Sequence, residues 1–149
     1  MFLRPYLLQV MLASVALVVT ASVTLSIGQG IRLLIDSGFS FLSGEDGTAV
    51  AYNAAGGNGC ISVTANVAPA LCSEMQKACK GGDFAAAAGI QKRLMPLHMA
   101  LFTEPSPAGI KYAASLLGLC DEYCRLPIVP LSHGARSEIR DAMSGLDLI

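Results

Sequence analysis

Ser62, Thr64 and Asn66 are the polar side chains best placed for substrate contact, because they close a run of strand formers that includes Ile61, Val63 and Val67. Gly56, Gly57 and Gly59 come before that run and let the backbone turn sharply into it. Asn66 and Pro69 end it, and the polar end of such a strand is where α/β folds keep their sites. His98 is the other acid–base candidate, two residues past Pro96, and the alternative reading, a surface or interface histidine, is favoured. Five cysteines at irregular spacing make no disulfide framework. Cys120 and Cys124 share a face only if their segment is helical, and neither neighbours a histidine. Small apolar packing is therefore expected of them, with no metal site and no cofactor.

The elements that must position these residues read as follows. Thr48 to Ala55 forms a short helix, Gly56 to Gly59 a turn, and Cys60 to Val67 a strand apolar on both sides. A strand of that kind, leaving through a polar turn into a helix, is the pattern of a parallel strand in an α/β barrel or doubly wound sheet. Pro69 suits the first turn of a helix that Gly81 and Gly82 break near Lys80. Asp83 caps the next helix, which begins at Phe84 and which Pro96 should kink by removing a backbone donor. Glu104 to Pro107 is a rigid connector, and Ala108 to Leu119 a helix with an apolar stripe through Ile110, Ala113, Ala114, Leu116 and Leu117. Arg125 to Leu131 is an extended link, and Ser132 caps a last helix ending near Met143.

Length and charge narrow the function classes. A chain of 149 residues is too short for an intact (β/α)8 barrel, which takes about 250. Ten basic residues face 11 acidic ones and no basic run exists, so nucleic acid is not expected as a partner. Most of the excess hydropathy lies in the first 35 residues, and no charge falls between Arg4 and Arg32. Tyr6 to Ile31 is long enough to cross a hydrocarbon core of about 30 Å as a helix, so a transmembrane segment is the leading reading. A secretory signal peptide, with Arg4 as its basic region and cleavage near Val19-Thr20-Ala21, is the second, and a buried soluble helix the third. Basic residues weakly favour an internal N-terminus.

Five separated stretches carry a more specific signal: SGED at Ser43 to Asp46, GGNGCISVTANVAP at Gly56 to Pro69, RLMPLH at Arg93 to His98, LFTEPSP at Leu101 to Pro107 and RLPIVPL at Arg125 to Leu131. In this order they resemble the C-terminal part of dihydrodipicolinate synthase, over about Ser43 to Ile149. The resemblance implies the end of a (β/α)8 barrel followed by a small helical domain. It also implies a lyase of lysine biosynthesis, in the diaminopimelate pathway, that condenses pyruvate with aspartate semialdehyde through a lysine Schiff base. Family members are cytoplasmic. Separately, LRPYLLQV and the turn from Arg32 to Phe39 resemble the first membrane helix of an ABC-type exporter permease, although no phosphate-binding loop of the Walker type is present.

The expected architecture is mostly α. It comprises one transmembrane helix in residues 1–40, an incomplete barrel remnant of one or two strands in 41–69, and a helical domain in 70–149. By family match Ile61 contacts pyruvate near the Schiff base, and the alternative is a plain buried strand isoleucine. The family's Schiff-base lysine, catalytic tyrosine and threonine pair lie on strands outside the resemblance, so no catalytic residue is expected here. Lys111 falls in a helical stretch rather than at a strand end, and Lys77, Lys80 and Lys92 fail in the same way. The sequence therefore points to a synthase-like chain, inactive alone, that meets pyruvate only if a complete barrel is supplied. The alternative is a single-pass, membrane-anchored interaction protein whose helical domain binds a partner such as an intact synthase subunit.

Overall fold

Capping side chains written into the sequence start two of the long helices. The computed structural model describes residues 11–12, 14–23, 26–27 and 40–149. It divides into the compact units Met1–Ser40 and Phe41–Ile149. In the second unit β1 (Leu42–Ser43) leads through a 3-10 turn (Asp46–Thr48) to α1 (Ala49–Ala54) and β2 (Gly59–Cys60). A second 3-10 turn (Thr64–Asn66) then precedes α2 (Pro69–Lys80), α3 (Phe84–Ala100), α4 (Ala108–Leu116) and α5 (His133–Ser144).

Each long helix buries one stripe. Pro69 opens α2, which buries Cys72, Met75 and Cys79 at helical spacing. Asp83 accepts from the Ala86 amide at 2.9 Å to start α3, whose buried face includes Ala87, Gln91, Leu94 and His98. Ser132 does the same for α5 through Ala135 at 3.2 Å, and Ala135, Ile139 and Met143 turn inward. α3 is the central element, packed against α2 on one side and α5 on another, with α4 against α5. Met75, Leu94, Leu97, Leu101, Ile139 and Met143 are the large side chains fully sealed in this core. At Gly109 a Cβ would stand 2.3 Å from the Leu101 carbonyl oxygen, so glycine lets the start of α4 press on the end of α3.

α4 stops at Leu116, three residues short of the expected Leu119. Gly118 takes φ 71°, and its amide reaches the Ser115 carbonyl while Leu119 reaches Ala114, a Schellman closure that ends the helix. Cys120 and Cys124 consequently lie in irregular chain and share no helix face.

The expected strand from Cys60 to Val67 is corrected more strongly. Only Gly59–Cys60 is strand, paired in parallel with β1 in the register Leu42↔Gly59 and Ser43↔Cys60. The Ile61 amide extends the ladder to the Ser43 carbonyl at 2.8 Å. Beyond it the donors find side chains instead of a neighbouring strand. Val63 and Thr64 donate to the Asp46 carboxylate, and Ala65 donates to Ser62 Oγ, which curls the chain into the Thr64–Asn66 turn.

The unit Met1–Ser40 corrects the fold class. Its described residues 11–12, 14–23 and 26–27 are helical. The expected span from Tyr6 to Ile31 lies partly outside the described residues, and so does the Arg32 to Phe39 turn. Among the described residues no helix is long and apolar enough to cross a membrane. The fold described is thus helical with a two-stranded parallel sheet, without the transmembrane helix, and a single-pass membrane placement is unsupported.

Candidate functional site

Asp46, third residue past β1, organises the polar interior. It is only 3% exposed, and its carboxylate is held by backbone amides. Its Oδ2 accepts from the amides of Val63 at 2.9 Å and Thr64 at 3.1 Å, and its Oδ1 lies 3.8 Å from Cys60 Sγ. Its own carbonyl accepts from Gln91 Nε2 at 2.9 Å. One residue therefore ties the β1 exit, the turn after β2 and the middle of α3 together. Charge-assisted bonds to backbone amides stabilise a buried carboxylate that would otherwise be costly.

From Thr64 the network runs to α3. Thr64 Oγ1 is 2.7 Å from His98 Nδ1, and both residues are buried, His98 being 3% exposed. Burial holds the imidazole below its ordinary pKa of 6.5, against the opposing pull of Asp46 and Glu45. His98 is therefore a neutral core group at neutral pH. It is not the surface or interface histidine expected from the sequence. The signal was present in the spacing: Gln91, Leu94 and His98 repeat at three and four residues and must share a face.

Between β2 and α2 lies a cavity of about 220 Å³, lined among others by Asp46, Cys60, Ser62, Cys72, Ser73 and Gln76. Ser62 Oγ stands 3.9 Å from Cys72 Sγ. The Cys60 thiol is pushed up to about 11, first by burial and then by the Asp46 charge, and burial also raises Cys72. Both remain protonated at neutral pH and are poor nucleophiles. The cavity offers hydrogen-bonding groups without an activated nucleophile or a cation.

Ile61 stands apart from this cavity. It is 68% exposed, so the buried strand reading is corrected. Alternation explains the exposure: Cys60 and Ser62 line the cavity against α2, which turns Ile61 to the opposite side. No element among the described residues covers it.

The remaining candidates are dispersed. Lys77 and Lys80 are on α2, Lys92 on α3 and Lys111 on α4, and Lys111 Nζ donates to the Tyr123 carbonyl. That bond ties the link before α5 to α4. Arg136 helps by pairing with Glu122 at 2.9 Å and lying 4.8 Å from the Tyr112 ring centroid. Among the described residues no group of three or more His, Cys, Asp or Glu gathers where a metal ion could be held.

Comparison with known proteins gives a consistent result. The model of the dihydrodipicolinate synthetase family matches residues 10–146. The 4-hydroxy-tetrahydrodipicolinate synthases of Acidiphilium cryptum and Parvibaculum lavamentivorans are each 59% identical over 111 residues, covering 74% of this chain and 38% of the relative. The dihydrodipicolinate synthase structure from Thermotoga maritima superposes with a TM-score of 0.74 at 34% identity, covering 76% of this chain and 38% of that one. The Aquifex aeolicus enzyme gives 0.73 at 35% identity, covering 75% and 38%. The chain thus spans little more than a third of the length of these relatives. The exporter resemblance of the N-terminal segment finds no support among them.

Proposed function

Because the chain belongs to the dihydrodipicolinate synthetase family, we propose that it carries the C-terminal portion of a pyruvate-condensing synthase fold and forms no Schiff base by itself. The observation that carries this reading is the placement of its amines. All four lysines stand on helices, and none lines the cavity beside Ser62. A Schiff-base lysine needs a dry pocket that lowers its pKa and aims it at the carbonyl carbon of the substrate. Without that nucleophile the covalent intermediate is lost altogether.

In this reading the family reaction, condensation of pyruvate with aspartate semialdehyde for lysine biosynthesis, needs strands beyond β1 and β2. Ile61 is then the residue this chain contributes next to pyruvate. Its outward orientation supports the assignment, since a side chain turned from the chain's own helices is free to meet groups brought from elsewhere.

Borohydride reduction in the presence of pyruvate tests the proposal. The purified chain is expected to keep its unmodified mass, and a reduced adduct on Lys77, Lys80, Lys92 or Lys111 would refute it. A second reading, in which the helical part binds an intact synthase subunit, is favoured by the exposed Tyr123, Leu126 and Val129 on the link before α5. Co-elution with the intact Acidiphilium cryptum enzyme is the outcome it requires.

A further inference from the structure

Two basic side chains meet in a recess between the start of α4 and the link that leads to α5. The recess measures about 450 Å³ and is lined by Pro107, Lys111, Tyr123, Cys124, Arg125 and Ile128. Among the described residues no carboxylate lines it. The acids nearest along the link are already engaged: Glu122 pairs with Arg136 at 2.9 Å, and Asp121 Oδ1 accepts from the Tyr123 amide at 2.6 Å. Lys111 is half-buried, and its Nζ is held in place by donating to the Tyr123 carbonyl. That acceptor is uncharged, so two N–H groups and the whole positive charge are left to face a ligand. Arg125 is exposed and has no acidic partner among the described residues. Apolar surface completes the wall, with the Tyr123 side chain 69% exposed and Ile128 half-buried. Two uncompensated positive charges therefore share one recess in a chain whose net charge is −1.

We propose that this recess binds a phosphate monoester, its phosphate between Lys111 and Arg125 and its apolar body against Tyr123 and Ile128. The two cations divide the work. A guanidinium fork matches two phosphate oxygens at once, while an ammonium acts as a point charge, here aimed by the Tyr123 carbonyl. A monoester carries close to two negative charges at neutral pH and so balances both side chains, whereas a single carboxylate balances one. A nucleic-acid backbone is a poorer occupant, because it needs a longer basic run than this pair. The inference concerns a surface distant in sequence from Ser62 and Ile61, and it does not depend on whether the chain forms a Schiff base.

The test titrates the full chain with phenyl phosphate and follows backbone amides by NMR, at a constant ionic strength of about 0.15 M so that exposed charges are screened. The expected result is saturable binding with Kd below about 1 mM, with the largest shifts at the amides of Lys111, Tyr123, Arg125 and Ile128. Benzoate, which keeps the ring but carries one charge, should bind more weakly. Arg125→Gln should weaken phenyl phosphate by about tenfold or more, and Lys92→Gln, on α3, should leave it unchanged. Tyr123→Ala keeps the carbonyl that holds Lys111 and should remove the preference for phenyl phosphate over inorganic phosphate. Far-UV circular dichroism should show all three variants folded. Shifts that never saturate, that lie outside the recess, or that are indifferent to Arg125→Gln would overturn the proposal. Inorganic phosphate binding as tightly as phenyl phosphate would overturn the ester as ligand, and equal binding of benzoate would overturn the requirement for two charges.

Discussion

Asp46→Ala probes the claim that one carboxylate holds the polar interior together. The substitution leaves the amides of Val63 and Thr64 without the acceptor they now reach at 2.9 and 3.1 Å. Each unsatisfied buried donor costs about 1 to 3 kcal/mol. Thr64 is fully buried while Val63 is half-buried and recovers part of its loss from water. Together the two amides predict a destabilisation of roughly 2 to 5 kcal/mol. The Gln91 bond to the Asp46 carbonyl survives, because the backbone atom is unchanged. Asp46→Asn keeps an acceptor but loses the charge assistance, and should cost about 1 to 2 kcal/mol. In a folding unit of about 100 residues, 1 kcal/mol shifts the melting temperature by about 4 to 8 °C, so Asp46→Ala should melt at least about 8 °C lower. Urea unfolding followed by far-UV circular dichroism measures the energy, and hydrogen exchange locates it, with the amides of Val63 and Thr64 losing protection first. A loss below about 1 kcal/mol, or below that of Asp46→Asn, would show that these bonds do not hold the turn after β2.

Three further outcomes are expected. His98 has a folded pKa below its ordinary 6.5 because it is buried, so the unfolded chain takes up its proton first as pH falls. Its contribution is therefore complete above about pH 6.5 and is lost progressively below that value, toward the lowered folded pKa. Urea midpoints measured between pH 7.5 and 5 should fall, and His98→Gln should flatten the decline. Ile61→Ser should change stability by no more than about 0.5 kcal/mol, as for an exposed position, whereas a buried isoleucine would cost about 2 kcal/mol or more. Gly109→Ala should lower the melting temperature by several degrees, because its Cβ meets the Leu101 carbonyl oxygen at 2.3 Å, and differential scanning calorimetry reads the shift.

Elements whose cause is local were legible in the sequence. Pro69, Asp83 and Ser132 each act within a turn of their own helix, and α2 runs from Pro69 to Lys80 as expected, ended at Gly81. The five motifs likewise carry family membership, which requires no knowledge of contacts. The strand expected after Gly59 fails for the opposite reason. Ile61, Val63 and Val67 favour an extended chain, but a strand persists only while a neighbour accepts its backbone bonds, and here Asp46, 17 residues before Val63, takes them instead. Composition alone likewise suggests a membrane span in the N-terminal segment, whereas among the described residues no helix is long and apolar enough to be one.

The sequence by itself determined where the helices of the second unit begin and to which family the chain belongs, because both depend on residues close together along it. Only the tertiary structure decided that His98 is sealed against Thr64, that Asp46 anchors the site and that Ile61 faces outward. Each of those depends on which distant backbone or side-chain group reaches the residue first, and burial and hydrogen bonding settle that only once the chain has folded.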